Sequence, residues 1–134
     1  MENFRVEKKF VLGKMKDIYL IKLLLNLGFY KQYPNREISS IYLDTFNYDY
    51  VRENINGVSE RKKIRFRWYD DKFEKIFLEE KNKNNFTVSK VINKTSLVSN
   101  KNNILTDLTK FLLSNKNKMI KNQNCKMVLK TNYK

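Results

Sequence analysis

RKKIRFRWY, residues 61–69, alternates basic and apolar side chains from Lys63 to Trp68. One set of alternate positions is basic: Arg61, Lys63, Arg65 and Arg67. The other set is apolar at Ile64, Phe66 and Trp68. A repeat of two residues is that of an extended chain, whose successive side chains point to opposite faces. The stretch therefore predicts a β-strand with one cationic face and one apolar face.

The residues that follow predict a β-hairpin. Tyr69-Asp70-Asp71-Lys72 supplies a polar turn, and Lys75–Lys83 then returns with its own alternation. Phe77, Glu79, Lys81 and Lys83 fall on one face of the returning strand, and Ile76, Leu78 and Glu80 fall on the other. We predict that Arg61–Tyr69 and Lys75–Lys83 pair antiparallel. One face of the hairpin should then carry Arg65, Arg67, Glu79 and Lys81.

Further strands and helices are predicted on both sides of the hairpin. The strands are Phe4–Leu12, Glu37–Asp44, Phe86–Asn93 and Lys126–Tyr133. Amphipathic helices are predicted at Lys14–Leu27 and Ile104–Leu113, with a short helical turn at Phe46–Asn54. Apolar strand faces can pack against the helices, which leaves the charged faces together on the concave side. The expected fold class is α+β, an antiparallel β tunnel or barrel with helices packed outside.

The composition predicts attraction to polyanions. Twenty-eight Lys and Arg residues against 14 Asp and Glu give the 134-residue chain a formal net charge of +14. Charge alone does not distinguish nucleic acid, anionic lipid and polyphosphate. With no His and a single Cys125, a Cys/His zinc cluster and a His-based catalytic triad are excluded. Any bound metal must be held by oxygen ligands.

No segment of the sequence is long and apolar enough to cross a membrane. The longest apolar stretch, Ile18–Leu27, is interrupted by Lys22 and Asn26 and falls well short of the roughly 20 residues needed. The expectation is a soluble, cytoplasmic domain without a membrane segment.

Two interpretations of the cationic strand face follow from the residues alone. The face could simply be solvated, because the charged side of a half-buried strand normally meets water. Like charges on neighbouring strands repel, however, and a bound polyanion would relieve that repulsion, with Arg side chains binding phosphate oxygens in pairs. Periodicity and composition leave the two interpretations about equally supported.

Five sequence blocks, taken in order, resemble the VTC domain of the triphosphate tunnel metalloenzymes, which are related to the CYTH proteins. They are Arg5-Val-Glu-Lys-Lys9-Phe10, Ser40-Ile-Tyr-Leu-Asp44-Thr45, Tyr50-Val-Arg52, Lys63-Ile-Arg65-Phe-Arg67-Trp-Tyr69 and Phe77-Leu-Glu79-Glu-Lys81. The resemblance covers about the first half of the family domain. It implies that residues 1–134 form a single, partial tunnel domain whose C-terminal strands are missing, and that a second chain or copy could complete the tunnel.

The resemblance also implies roles for individual residues. The phosphate-binding residues would be Lys9, Arg52, Arg65, Arg67, Lys81, Lys90 and, by a looser match, Lys130. Arg65, Arg67 and Lys81 would be the catalytic ones. Glu7 and Glu79 would be ligands of a divalent metal, Mn or Mg, although balancing the charge of neighbouring cations is an equally good interpretation of both.

The implied activity is phosphoryl transfer from ATP to a growing polyphosphate chain. Such chemistry depends on positioning and charge stabilisation, needs no covalent nucleophile and suits a chain without His. A tunnel triphosphatase would use the same residues with water as the attacking group. Whether this chain alone is an enzyme stays open, because further family residues belong to the missing strands.

A non-catalytic RNA- or polyphosphate-binding module is the alternative. Its charge, its size and the aromatic side chains of Phe66, Trp68 and Tyr69 favour RNA. Because the aromatic residues alternate with the arginines, a base could not stack beside a phosphate bound on that strand. Nucleic acid is therefore disfavoured, and ATP or polyphosphate is the partner that the resemblance implies.

Overall fold

The computed structural model describes residues 13, 17–30, 34–85, 87–114, 120 and 124–133. The chain divides into two compact units. Residues 5–35 form one unit, whose described element is helix α1 (Asp17–Asn26). The remainder of the chain forms the other unit, which contains every described strand.

A five-stranded antiparallel sheet is the framework of the larger unit. Its strands lie in the spatial order β4-β3-β2-β1-β5, and β4 and β5 do not pair with each other, so the sheet is not closed. The fold is therefore α+β, as predicted. The elements of this unit are β1 (Ile38–Thr45), α2 (Asp49–Ile55), β2 (Glu60–Tyr69), β3 (Phe77–Asn84), β4 (Thr87–Lys94), α3 (Ile104–Leu113) and β5 (Cys125–Tyr133).

The predicted hairpin is confirmed at the level of single residue pairs. Strand β2 pairs antiparallel with β3, and Arg65 lies opposite Glu79. On its other side β2 pairs antiparallel with β1, so it is the central strand of the sheet. Residues directly opposite each other in an antiparallel pair share a face of the sheet. The register therefore determines which side chains can meet.

The hydrophobic core lies on one face of the sheet, beneath helix α3. Ile64, Phe66 and Trp68 of β2 are almost fully buried, and Leu108 of α3 is fully buried. The ring of Phe66 meets that of Phe111 of α3 edge-on, with centroids 5.8 Å apart. Burial of a large apolar side chain stabilises a fold by about 1.5–3 kcal/mol. This packing commits the apolar side of β2 to the core and leaves its basic side on the opposite face.

A buried carboxylate fixes helix α2 to the end of β1. The Asp44 side chain accepts hydrogen bonds from the backbone N–H groups of Thr45, Tyr50 and Val51 at 2.7, 2.9 and 2.9 Å. Two of these donors lie in the first turn of α2, where backbone N–H groups have no partner within the helix. Tyr48 at the N-cap makes no side-chain cap of its own. The Asp44 side chain therefore caps the N-terminus of α2, although Asp44 itself lies outside the helix.

Asp44→Ala should lower the free energy of unfolding by about 1–2 kcal/mol, because it leaves part-buried N–H donors at the start of α2 without their acceptor. Urea denaturation measures the change. Asp71→Ala, in the exposed turn after β2, is the control and should stay within about 0.5 kcal/mol of wild type. Equal stabilities of the Asp44 and Asp71 variants would contradict the capping role.

Candidate functional site

The face of the sheet opposite the core is strongly basic, and we call it the cationic face. On strands β2 to β4 its charged side chains comprise eight cations and one carboxylate. The carboxylate is Glu79, and the cations are Arg61, Lys63, Arg65, Arg67, Lys81, Lys83, Lys90 and Lys94. Such an excess of one charge on one surface attracts anions.

The register sets three lysines side by side across the sheet. Lys63 of β2 lies opposite Lys81 of β3, which in turn lies opposite Lys90 of β4. Like charges directly opposite each other destabilise a strand pair. A sheet that carries three in one row gains stability when an anion binds across them.

Glu79 is the centre of an ion cluster beside this row. Its Oε2 accepts from Nε and Nη2 of Arg65, both at 2.8 Å, and lies 3.5 Å from Nη1 of Arg67. Its Oε1 accepts from Nζ of Lys90 at 2.9 Å. The Glu79 side chain is only 4% exposed. Three strands thus contribute to one cluster, in which three cations surround a single buried anion.

The surroundings of Glu79 lower the pKa of its carboxyl group. Burial is the largest influence and acts in the opposite direction, because it disfavours the charged form. The hydrogen bond from Lys90 and the charges of Arg65 and Arg67 together outweigh burial. The pKa of Glu79 therefore lies below its ordinary value, and the group is ionised at neutral pH.

Strand β1 orients the two arginines from the other side. Nη1 of Arg65 donates to the hydroxyl of Tyr42 at 2.9 Å, and Nε of Arg67 lies 3.3 Å from Oγ of Ser40. The arginine side chains are 21% and 16% exposed. Both guanidinium groups are therefore held in place while part of each remains accessible to a ligand.

A cavity of about 270 Å³ adjoins the cluster and shares Tyr42 with it. Its lining includes Leu129, Thr131 and Tyr133 of β5, Val51 of α2 and Lys63 of β2. Oγ1 of Thr131 is buried and has no hydrogen-bond partner among the described residues. An apolar cavity with a few polar groups at its wall is typical of a small-molecule site.

The structure brings five of the predicted site residues together on the cationic face. They are Arg65, Arg67, Glu79, Lys81 and Lys90. Lys9 and Glu7 lie outside the described residues. Sequence reasoning gave no role to Lys63, although the alternation in residues 61–69 already placed it on this face. It also gave none to Tyr42 and Ser40, although both stand in a block that resembles the family.

Arg52 and Lys130 lie away from the cluster. Arg52 belongs to α2, where its exposed side chain pairs with Asp49 at 2.6 Å. Lys130 lies opposite Ile41 of β1, which places it on the core side of the sheet, opposite to Arg65. A register shift between Tyr42 and Leu43 alters the alternation of β5 before this point.

The described residues do not by themselves fit a divalent metal. Glu79 supplies one carboxylate, and each of its oxygens already accepts from a cation. No group of three or more acidic, Cys or His side chains that could hold a metal occurs among the described residues. Since Glu7 lies outside them, the metal implied by the family resemblance stays a prediction.

The aromatic side chains of β2 divide between the two faces. Phe66 and Trp68 are buried in the core, as their alternation with the arginines predicted. Tyr69 instead shares the face of Arg67, and the guanidinium of Arg36 lies 4.3 Å from the centre of its ring. The expectation that all three aromatic residues lie opposite the arginines is therefore wrong for Tyr69. The Arg36 guanidinium covers one side of its ring.

Comparison with known proteins places the chain in a family. The family model described as the VTC domain matches residues 4–134. No curated protein matches the chain. Among the described residues, no helix has the length and apolar character needed to cross a membrane.

The lowered pKa of Glu79 predicts a pH-dependent contribution to stability. Because the folded pKa lies below the unfolded value of about 4.3, the ion cluster stabilises the fold above that pH and loses its contribution as pH falls through the folded pKa. Glu79→Gln lacks this titration. Urea denaturation from pH 7 to pH 3 measures the free energy of unfolding of both proteins. Wild type should be more stable than Glu79→Gln at neutral pH, and this difference in stability should shrink below about pH 4.3. A difference that is constant over this range would contradict the assignment.

Proposed function

The chain belongs to the VTC domain family, and we propose that its cationic face binds the phosphates of ATP and of polyphosphate. Family membership indicates a polyphosphate-related role. The observation that carries the proposal is the cluster of Arg65, Arg67 and Lys90 around one buried carboxylate, next to the row of Lys63 and Lys81.

The spacing of these cations suits closely linked phosphates. Opposed residues of neighbouring strands lie about 5 Å apart, and side chains two residues apart on a strand lie about 7 Å apart. Arginine can bind phosphate oxygens through two parallel N–H donors, and lysine adds a mobile point charge. Several cations can therefore meet one run of phosphates at the same time. RNA has bases and riboses between its phosphates and would engage fewer of them.

The cavity beside Tyr42 supports a nucleotide as one ligand. Tyr42 at its wall accepts a hydrogen bond from Arg65, so the triphosphate of a nucleotide bound there could reach the ion cluster. The tyrosine rings at its wall offer flat contacts for a base. We assign the nucleoside to this cavity and the phosphates to the cationic face.

Polyphosphate synthesis by phosphoryl transfer is the reaction that we propose for the domain. Arg65, Arg67 and Lys81 would neutralise the transferred phosphate and keep donor and acceptor phosphates close, which is where most of the catalysis in such reactions arises. The side chains that hold them, Tyr42 and Ser40, would limit their reorganisation. A divalent metal would supply further neutralisation of the phosphates. The family resemblance implies Glu7 and Glu79 as its ligands, but both oxygens of Glu79 are already engaged by cations. Completion of the tunnel by a second chain or copy belongs to the same proposal.

Tripolyphosphate should bind the protein more tightly than a single-stranded RNA of matched charge. Calorimetric titration at fixed salt, followed by direct competition, measures the preference. Because both ligands lose affinity with salt, salt dependence alone does not separate them. An RNA that displaces tripolyphosphate at equal charge would replace this proposal with the RNA-binding alternative.

Arg65→Ala and Arg67→Ala should each weaken tripolyphosphate binding by roughly tenfold or more. Each removes a charge-assisted contact worth about 1.5–3 kcal/mol. Lys110→Ala is the control, because Lys110 is exposed on α3, the helix that packs on the core. Equal losses of affinity in Lys110→Ala and Arg65→Ala would indicate that tripolyphosphate binds to the basic surface in general and not to the ion cluster.

Leu129→Trp should reduce the affinity for ATP severalfold and leave tripolyphosphate binding unchanged. Leu129 lines the cavity opposite Tyr42, and a larger ring there would occupy the space assigned to the nucleoside. Titrations of one preparation with both ligands make the comparison internal. Equal losses for ATP and tripolyphosphate would contradict the assignment of the nucleoside to the cavity.

A further inference from the structure

The carboxylate of Glu79 engages N–H groups of the cationic face that an anionic ligand could otherwise bind. It is the single carboxylate that strands β2 to β4 place on the cationic face, and both of its oxygens are engaged. Oε2 accepts from two N–H groups of Arg65 and lies 3.5 Å from Nη1 of Arg67. Oε1 accepts from Nζ of Lys90. Several of the donors that a phosphate would use are thus already engaged by the protein's own anion.

Two opposed demands meet at this residue. Without ligand, the cations of Arg65, Arg67 and Lys90, which all lie around Glu79, would repel one another. The negative charge of Glu79 reduces that repulsion. With ligand, the same negative charge lies beside the incoming phosphates and repels them. It also competes with them for the arginine N–H groups.

We propose that Glu79 is an internal counter-anion that substitutes for phosphate in the unliganded protein and limits the affinity of the site, instead of ligating metal. This inference rests on the proposed phosphate binding. Glu79 is a positioning residue: it acts on the ligand through Arg65 and Lys90, which it keeps aligned until phosphate replaces it as their partner.

The inference gives an unusual expectation for the variant Glu79→Gln. The unliganded protein loses stability, because the cations lose their counter-charge. Tripolyphosphate binds more tightly, because one repulsive charge has gone and the ligand relieves a larger repulsion. A residue with a merely structural role would weaken binding when it is replaced.

Glu80→Gln is the matched control. Glu80 is the adjacent residue of β3 and lies opposite Ile64, so it belongs to the other face of the sheet. Its carboxylate pairs with Lys62 at 3.5 Å and accepts from Asn82 at 2.7 Å. The substitution removes the same charge from the same strand without touching the cationic face.

The test is calorimetric titration of the whole chain with sodium tripolyphosphate, in EDTA and at fixed ionic strength. Glu79→Gln should bind about tenfold more tightly than wild type, because repulsion between unit charges about 5 Å apart near a protein surface exceeds thermal energy even after screening by salt. Glu80→Gln should match wild type within about twofold. Equal or weaker binding by Glu79→Gln overturns the inference.

The other outcomes are equally decisive. Wild type that fails to bind while Glu79→Gln binds supports the inference. If neither binds tripolyphosphate, the proposed function fails and this inference fails with it; if wild type binds and Glu79→Gln gains nothing, only the inference fails. Titration with MnCl₂ alone gives a further check, since Mn²⁺ binding that wild type shows and Glu79→Gln lacks would make Glu79 a metal ligand.

The Glu79→Gln variant still tests the inference if it does not fold without ligand. If Glu79→Gln is unfolded by circular dichroism, adding tripolyphosphate in EDTA should restore the wild-type spectrum, because the polyanion supplies the missing counter-charge. Magnesium chloride at the same ionic strength should not. Failure of tripolyphosphate to restore the fold overturns the inference.

Discussion

The two-sided environment of strand β2 is the constraint on which the rest of the larger unit depends. Successive side chains of a strand point to opposite faces, so the burial of Phe66 and Trp68 in the core forces Arg65 and Arg67 together on the other face. Neither set can move without the other, because a slip of one residue would exchange the core and the charges. The hydrophobic effect thus supplies the free energy that holds the cations close to one another.

The strands beside β2 reduce the repulsion among these cations. Strand β3 brings Glu79 against Arg65, and β1 brings the hydroxyls of Tyr42 and Ser40 to the two guanidinium groups. Strand β4 adds Lys90 to the other carboxylate oxygen. A single buried anion leaves the cluster positively charged, which is the physical basis of its proposed affinity for phosphate. The cations are thus held in fixed orientations, but their charge is only partly neutralised.

Sequence reasoning succeeded where a regular repeat persists and failed where the repeat is interrupted. The alternation in residues 61–69 determined the faces of Arg65 and Arg67, and the hairpin then placed Glu79 beside them. In β5 the register shift puts Met127 opposite Leu43 but Leu129 opposite Tyr42, so two residues of the same parity lie on opposite faces. No pattern in the sequence marks that irregularity, and the face of Lys130 depended on it. The hydrogen bonds of Glu79 were likewise beyond prediction, because a carboxylate among cations suits both charge balance and metal ligation.

Mapping the binding surface by NMR tests the central claim most directly. Tripolyphosphate added to the isotopically labelled protein should shift resonances of the side chains and amides around Arg65, Arg67, Glu79 and Lys90, and leave those of the exposed Lys101 and Lys110 in place. Shifts confined to the cationic face of β2 to β4 are the result that the account predicts. Shifts spread evenly over the lysines of both regions would contradict it.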